Sequence, residues 1–483
     1  MGSIDVDKPQ FADVPLWIDN HPVTTSNKFE VRNSTTQKVV WTASGADVDL
    51  AKKAVDSASK AFPAWAQTHP TERRRILFKA AEIFRLRKDE IIDVMVQETN
   101  CTREWATGIN LNFGTALLEE LGCMATSCAT GSLPTTESRD RLALVYKEPY
   151  GVVLGIAPWN AAFILAIRAV ATPILCGNTA VLKASELSPR THHFIGEIFQ
   201  EAGLPAGVLN IVHHSREKAA EVIEAMIAHP SVRKINFTGS TAVGKIIAKT
   251  AGLHLKPVLM ELGGKSSCIV LEDADLTKAA KAIVLGAFLN HGQVCMGTER
   301  VIVLRSVAED FRRLLVKEAQ SFPAGKAVTV SGAQKTESLI VSAVRQGAHL
   351  EFGTPNVTVA ALQPTIVSGV TKEMDLFYNE TFGPTVTLLV VDTVDEAISQ
   401  ANDTAYGLSA SIFSRDVPKA VRCARRIETG ACHINAMTIH DEPWLPHGGS
   451  KESGFGRFNG QWGLDEFLQT KTITITDEPS DVI

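Results

Sequence analysis

Short apolar runs alternate with helical stretches from residue 150 onward, and this alternation constrains the fold more than any other feature. The runs are Gly151–Ile156, Thr179–Leu182, Val208–Val212 and Lys234–Phe237, then Cys268–Leu271, Arg300–Leu304 and two near 385–391 and 408–413. Buried strands that alternate with helices are typical of parallel βαβ units. The sequence therefore predicts an α/β fold with two such units in series, and 483 residues fit about two or three domains.

Three further segments have recognisable local patterns. Apolar residues repeat at helical spacing through Thr71–Asn100, which predicts helix there. Another helix is predicted to begin with Ser188 as its N-cap and Pro189 in its first turn, and to end at Gly203. The polar stretch Ser132–Arg141 is predicted to be a linker or a protruding hairpin.

Charge and composition exclude several classes of protein. The chain has 48 basic and 53 acidic residues with no long basic run, which argues against nucleic acid and anionic membranes as partners. No stretch reaches about 18 consecutive apolar residues, and Met1–Val14 lacks the pattern of a signal peptide, so a cytoplasmic protein is expected. The 8 cysteines form no CxxC pair, which predicts reduced thiols and no metal site.

Phe237–Gly244 lies where a predicted strand gives way to a helix. Backbone N–H groups and the helix dipole at such a junction can hold a pyrophosphate. The segment lacks the middle glycine of the GxGxxG pattern, so an ordinary strand-to-helix turn is an equally simple interpretation.

Lys183 and Glu186 follow the strand Thr179–Leu182, at the sheet edge where doubly wound folds bind ligands. A carboxylate there can pair with ribose hydroxyls and would repel a 2′-phosphate, which favours NAD over NADP. The alternative is a solvated surface charge pair.

Cys295, Glu261 and Asn160 are candidate catalytic residues, each in a turn. A thiol in a glycine-containing turn can act as a nucleophile, a carboxylate before two glycines can reach a water, and a side-chain amide can stabilise an oxyanion. Taken singly, each has a structural alternative: inert packing, an ion pair and a turn residue.

Over nearly its whole length, the chain resembles the NAD(P)-dependent aldehyde dehydrogenase superfamily. The resemblance lies in the identity, order and spacing of seven segments: those that contain Asn160, Lys183, Phe237, Glu261 and Cys295, together with Asn379–Pro384 and Gly448–Gly454. The resemblance implies a Rossmann-like NAD-binding domain, an α/β catalytic domain and a small β oligomerisation arm. The expected ranges are 1–124 and 143–258 for the NAD-binding domain, 259–452 for the catalytic domain, and 125–142 with 453–483 for the arm and C-terminal segment. The alternating C-terminal strand Thr470–Thr476 suits pairing with a neighbouring subunit, so a homodimer or homotetramer is expected.

The resemblance also implies roles for single residues. Cys295 would attack the aldehyde, Asn160 would help stabilise the resulting oxyanion, and Glu261 would activate water to hydrolyse the thioester. The residues expected to bind NAD are Trp159, Lys183, Glu186, Gly239, Ser240, Gly244, Glu380 and Phe382. Use of NADP is disfavoured but not excluded.

Three runs, Pro158–Phe163, Cys295–Arg300 and His440–Trp444, most resemble the salicylaldehyde and vanillin branch of the family. An aromatic or conjugated aldehyde is therefore the expected substrate. Phe163, Met296 and Trp444 are expected to line an apolar substrate tunnel, with ordinary core packing as the alternative. His447 stands where many members carry Phe, and Phe322–Val328 lacks a common turn; both differences are expected to affect outer loops and substrate access.

Two rival functions remain: a catalytically silent oligomer that binds NAD, and acyl transfer or thioester hydrolysis without redox chemistry. Oxidation of aliphatic aldehydes is the alternative for the substrate. The presence of Cys295, Glu261 and Asn160 together disfavours the silent oligomer.

Overall fold

The computed structural model describes residues 13–476. The strands are β1 Asp13–Val14, β2 Leu16–Ile18, β3 His21–Val23, β4 Lys28–Arg32, β5 Val39–Ser44, β6 Arg141–Pro149, β7 Val152–Ile156, β8 Thr179–Lys183, β9 Leu209–Val212, β10 Val232–Thr238, β11 Val258–Glu261, β12 Ser266–Val270, β13 Thr298–Leu304, β14 His349–Phe352, β15 Thr365–Ser368, β16 Thr385–Val391, β17 Ser409–Phe413, β18 Ala431–Ile434, β19 Gly454–Phe455 and β20 Leu468–Thr476.

The α-helices are α1 Val48–Ala66, α2 Pro70–Leu86, α3 Lys88–Thr99, α4 Arg103–Trp105, α5 Phe113–Met124, α6 Ala162–Leu175, α7 Pro189–Glu201, α8 Ala219–Ala228, α9 Thr241–Leu253, α10 Leu276–Phe288, α11 Arg305–Gln320, α12 Val330–Arg345, α13 Asp375–Tyr378, α14 Val394–Asn402, α15 Val417–Ala424 and α16 Gly460–Asp465. Among residues 13–476, no helix is long and apolar enough to cross a bilayer.

The first α/β unit is an 8-stranded sheet with the order β19-β11-β10-β7-β8-β9-β2-β3. Its central strands β11, β10, β7, β8 and β9 are parallel. The chain runs outward from β7 through β8 to β9, then returns to place β10 on the other side of β7. Ligands of such sheets bind at this reversal, beyond the carboxyl ends of the strands.

The second unit is a 7-stranded sheet with the order β14-β15-β16-β13-β12-β17-β18, in which only β14 runs antiparallel. Helices pack on both faces, so the central strands β12 and β13 are buried along their whole length. The predicted α/β fold with two units in series is confirmed.

Two smaller sheets complete the described part of the chain: a 3-stranded sheet with the order β1-β5-β4 and a 2-stranded sheet of β6 and β20. The second joins distant parts of the chain, since β6 and β20 pair antiparallel along their full length. The strand that pairs with the C-terminal strand thus begins at Arg141 and lies almost wholly after the expected arm segment 125–142. The division into domains stays a prediction.

The local predictions hold with small differences. Thr71–Asn100 forms two helices, α2 and α3, and Asn100 ends the second in the left-handed conformation with φ 54°. The helix predicted after Ser188 begins at Pro189, although the Ser188 side chain makes no capping hydrogen bond. All 8 cysteines are free, as expected.

Candidate active site

Cys295, Glu261 and Asn160 meet where the two α/β units face each other. Asn160 follows β7, Glu261 is the last residue of β11, and Cys295 lies in the loop that leads into β13. Cys295 Sγ is 4.0 Å from Glu261 Oε1. Asn160 Nδ2 donates a 3.1 Å hydrogen bond to the carbonyl of Gln293, two positions before the thiol.

Two glycines allow this close packing. A Cβ on Gly264 would stand 2.3 Å from the Cys295 carbonyl oxygen, so only glycine lets the β11–β12 turn approach the cysteine loop. Gly454 has φ +111°, and a Cβ there would lie 2.1 Å from the Met260 carbonyl. Since Gly454 pairs with Glu261 in the sheet, this glycine allows the C-terminal part of the chain to pack against the carboxylate.

Two cavities meet at the thiol. The first has a volume of about 530 Å³ and the second about 340 Å³, and both are lined by Asn160, Glu261 and Cys295. The first is largely apolar; its apolar lining includes Trp105, Ile109, Phe113, Ile164, Leu165, Met296, Met437, Ile439 and Trp444. A group bound in either cavity would therefore contact Cys295.

The structure places Met296 and Trp444 in the first cavity but not Phe163. Phe163 is fully buried and packs edge-to-face on Phe84, with ring centroids 4.7 Å apart. The expectation that Phe163 lines the substrate tunnel is therefore wrong. Consecutive residues of a helix point in different directions. Phe163 therefore points into the core, whereas Ile164 and Leu165 face the cavity.

The second cavity collects most of the predicted cofactor residues. Trp159, Gly239, Ser240, Glu380 and Phe382 line it, with the Trp159 and Phe382 rings 5.7 Å apart in an edge contact.

Ser240 begins α9, and its hydroxyl accepts a hydrogen bond from the Val243 N–H at 3.5 Å. Because Gly239 and Ser240 line the second cavity, the residues just before α9 border it.

Three predicted cofactor residues do not line that cavity. Lys183 ends β8, and its Nζ lies 3.7 Å from Glu186 Oε2. Burial lowers the pKa of Lys183, and the charge of Glu186 opposes this. A Cβ on Gly244 would stand 2.5 Å from the Leu262 side chain, so this glycine packs α9 against the loop after β11.

Glu261 is buried among charged groups that hold it ionised. His447 Nε2 lies 2.8 Å from its Oε1, and Arg168 Nη1 donates to its Oε2 at 3.2 Å. Arg168 also donates to Asp441. Burial alone would raise the pKa of Glu261, but His447 and Arg168 outweigh it and lower the pKa to about 2.

The contact with Glu261 corrects the expectation for His447, which was assigned to outer loops and substrate access. The backbone N–H groups of His447 and Phe458 each donate to the other residue's carbonyl, at 3.0 and 2.8 Å, and this pairing holds His447 beside β11. His447 thus touches the proposed reaction centre.

The thiol itself is held in its neutral form. Burial raises the pKa of Cys295 well above its usual value, and the negative charges of Glu261 and Glu380 raise it further. Arg168 opposes this shift only in part. Glu380 is also affected, because burial and the neighbouring Glu299 raise its pKa to about 7.

Sequence reasoning missed Arg168 and Asp441. A signal for Arg168 exists, since it is the only charged residue in the helix Ala162–Leu175 and is nevertheless buried. A lone charge in such a helix needs a buried partner, which here is Glu261 together with Asp441. Asp441 lies in an irregular segment and has no comparable signal.

Comparison with known proteins gives consistent matches over nearly the whole chain. The model of the aldehyde dehydrogenase family matches residues 21–473. A vanillin dehydrogenase of Pseudomonas fluorescens is 42% identical over 479 residues, covering 97% of this chain and 98% of the relative. A salicylaldehyde dehydrogenase of Pseudomonas sp. strain C18 is 40% identical over 471 residues, covering 95% and 96%.

Among solved structures, the crystal structure of a salicylaldehyde dehydrogenase from Pseudomonas putida G7 complexed with salicylaldehyde superimposes with a TM-score of 0.95 and 38% identity. The match covers 98% of this chain and 99% of that one. With the family model matching nearly the full length, this chain belongs to the aldehyde dehydrogenase family.

Proposed function

We propose that the protein oxidises an aromatic or conjugated aldehyde to its carboxylic acid with NAD. The observation that carries the proposal is the position of Cys295, which lies at the junction of an apolar cavity and a second cavity at the start of α9. One cavity suits an apolar aldehyde and the other a dinucleotide, and the thiol is within reach of both.

The second cavity fits NAD by its chemistry. The 13-residue helix α9 presents its first-turn N–H groups beside Gly239 and Ser240, which would hold the pyrophosphate. Trp159, Glu380 and Phe382 would surround the nicotinamide and its ribose.

Lys183 and Glu186 lie further along the sheet edge and would bind the adenosine ribose. The carboxylate of Glu186 favours NAD over NADP, because it would repel a 2′-phosphate.

In the first half-reaction, Cys295 gives up its proton to solvent water and its sulfur attacks the aldehyde carbon, giving a thiohemiacetal. Asn160 Nδ2, with one N–H on the Gln293 carbonyl, has a second N–H that would stabilise the oxyanion together with the Cys295 backbone N–H. Bound NAD supplies the acceptor for the hydride that leaves this carbon. A thioester on Cys295 remains.

In the second half-reaction, Glu261 takes a proton from water while the water oxygen attacks the thioester carbon. The C–S bond then breaks, the carboxylic acid leaves, and Cys295 is released as a thiolate. Glu261 is suited to this role because it is ionised and its Oε1 already faces the sulfur at 4.0 Å.

The lining of the first cavity supports an aromatic substrate. Met296 and Trp444 provide apolar contacts near Cys295, and Trp105 and Phe113 close other walls. Relatives of 40% and 42% identity act on salicylaldehyde and vanillin, which are aromatic aldehydes.

The two-stranded sheet of β6 and β20 supports assembly into a homodimer or homotetramer. Its apolar side chains Leu142, Tyr146, Ile473 and Ile475 are exposed within a single chain. Covering them with a second subunit would remove this apolar surface from water.

Mixing the protein with NAD and substituted benzaldehydes tests the function. The expected result is NADH absorbance together with the carboxylic acid in equal amounts. NAD binding without turnover over a broad aldehyde panel would instead support the silent oligomer. Ester cleavage with no NADH from any aldehyde would support acyl transfer without redox chemistry.

A further inference from the structure

Four ionisable side chains form one connected group beside the thiol, named here the charge cluster: the buried Arg168, Glu261 and His447 and the partly buried Asp441. Arg168 bridges the two carboxylates, and His447 Nε2 contacts Glu261 Oε1 at 2.8 Å while its Nδ1 lies 3.8 Å from Asp441 Oδ1. Asn459 holds Asp441 in place through a 2.8 Å hydrogen bond from Nδ2 to Oδ1.

We propose that His447 is a positioning residue for the general base, and that loss of one of its two ring protons enables Glu261 to accept a proton from water. The inference rests on the proposed function, since it concerns hydrolysis of the Cys295 thioester.

The charge balance of the cluster is the first argument. With His447 doubly protonated, two cations face two carboxylates and the net charge is zero. A proton added to Glu261 then leaves one uncompensated positive charge in a buried site, which is costly. With His447 neutral, the same proton brings the cluster from one negative charge to zero, so Glu261 accepts it more readily.

Geometry is the second argument. The Nε2–H of His447 can donate to Glu261 Oε1 whether or not Nδ1 carries a proton. Glu261 Oε1 therefore stays directed at Cys295 in both states, and only the charge changes. The proton lost from Nδ1 passes to solvent, past Asp441, which is 17% exposed.

The groups around His447 determine the direction in which its pKa is shifted. Arg168 comes from α6, Glu261 from β11 and Asp441 from the preceding loop, and His433 in β18 also lies in its field. Burial lowers the pKa of His447, but Asp441 and Glu261 outweigh this and leave it raised. Arg168 stays charged, and His433 is neutral because burial lowers its pKa to about 4.

The consequence is a defined pH dependence of deacylation. Below the pKa of His447 the cluster is neutral and Glu261 is a poor base, so the thioester is hydrolysed slowly. Above that pKa hydrolysis is fast and levels off. The raised pKa places this change above the usual histidine value of about 6.5.

The test isolates thioester hydrolysis from redox chemistry. Without NAD, excess p-nitrophenyl benzoate is used to benzoylate Cys295 at alkaline pH. The acyl-enzyme is trapped at low pH, where its hydrolysis is slow, and is then diluted into buffers of neutral to alkaline pH. Intact-mass spectrometry follows loss of the benzoyl group, with Glu261→Gln giving the background rate of hydroxide attack.

The wild-type rate constant is expected to rise about tenfold per pH unit and then reach a plateau. His447→Gln retains an N–H donor but not the titrating charge, so its rate should not vary with pH. His447→Phe loses the donor and should be slow at every pH. The matched control His433→Gln removes a nearby histidine that does not contact Glu261, and should keep the wild-type profile.

A wild-type rate without pH dependence above background overturns the inference, as does a wild-type profile in His447→Gln or its loss in His433→Gln. Failure of Cys295 to be benzoylated at all overturns the proposed function as well. Benzoylation with the wrong pH profile overturns only the role of His447.

Discussion

The Sγ atom of Cys295 lies 4.0 Å from Oε1 of Glu261, so the proposed nucleophile and the proposed base face each other directly. The negative charge of Glu261 contributes to the raised pKa of the thiol, while His447 and Arg168 keep the carboxylate ionised. Its Oε1 is therefore placed to accept a proton from the water that attacks a thioester on Cys295.

Replacing Glu261 by Gln should separate the two half-reactions. The first requires the thiol and the oxyanion donors, whereas the second requires a base for water. Rapid mixing with NAD and benzaldehyde should give one burst of NADH per subunit, followed by a steady-state rate reduced about 100-fold or more. Equal losses in burst and steady state would contradict the role of Glu261.

The same substitution should make the thiol more reactive toward iodoacetamide. Removing a negative charge lowers the pKa of Cys295, so its alkylation rate near pH 8 should rise by up to about tenfold for each unit of decrease. Peptide mapping separates this signal from Cys123, which is exposed and provides an internal reference. Slower alkylation of Cys295 would mean that the charge of Glu261 does not control the thiol.

Glu186 is expected to select the cofactor. Glu186→Ser removes the carboxylate that would repel a 2′-phosphate, so the ratio of kcat/KM for NAD to that for NADP should fall about tenfold or more. Glu201→Ser is a matched control, because Glu201 ends α7 at an exposed position. An unchanged ratio in Glu186→Ser would contradict the assignment to the adenosine ribose.

Truncation of Phe163 should reduce the stability of the protein, whereas truncation of Trp444 should weaken substrate binding. Phe163→Ala leaves a hole in the core beside Phe84 and should reduce the free energy of unfolding by about 3–5 kcal/mol, measured by urea denaturation. Trp444→Ala truncates a half-exposed cavity wall and should mainly raise KM for aromatic aldehydes. A large KM effect with normal stability in Phe163→Ala would place that ring in the substrate cavity after all.

Features set by local sequence were the ones that could be predicted. The alternation of apolar runs predicted both parallel sheets, because each buried strand needs an apolar run and each crossover needs a helix. Gly263 and Gly264 marked Glu261 as a candidate in the sequence, and in the structure Gly264 packs against the Cys295 carbonyl.

Features that depend on tertiary contacts could not be predicted. Phe163 and Ile164 are neighbours in one apolar helix, and only packing decides that the first enters the core and the second faces the cavity. His447 reaches Glu261 because the chain returns from the second sheet to pair Gly454 with β11, a contact of high sequence separation. No local pattern encodes that return.

The most direct test of the central claim is to locate the acyl group. Glu261→Gln is mixed with NAD and benzaldehyde, quenched in acid and digested, and the peptides are mapped by mass spectrometry. The account predicts one benzoyl group per chain, bound to the sulfur of Cys295 and absent when NAD is left out. A benzoyl group on any other residue, or NADH formation with no acylated peptide, would contradict it.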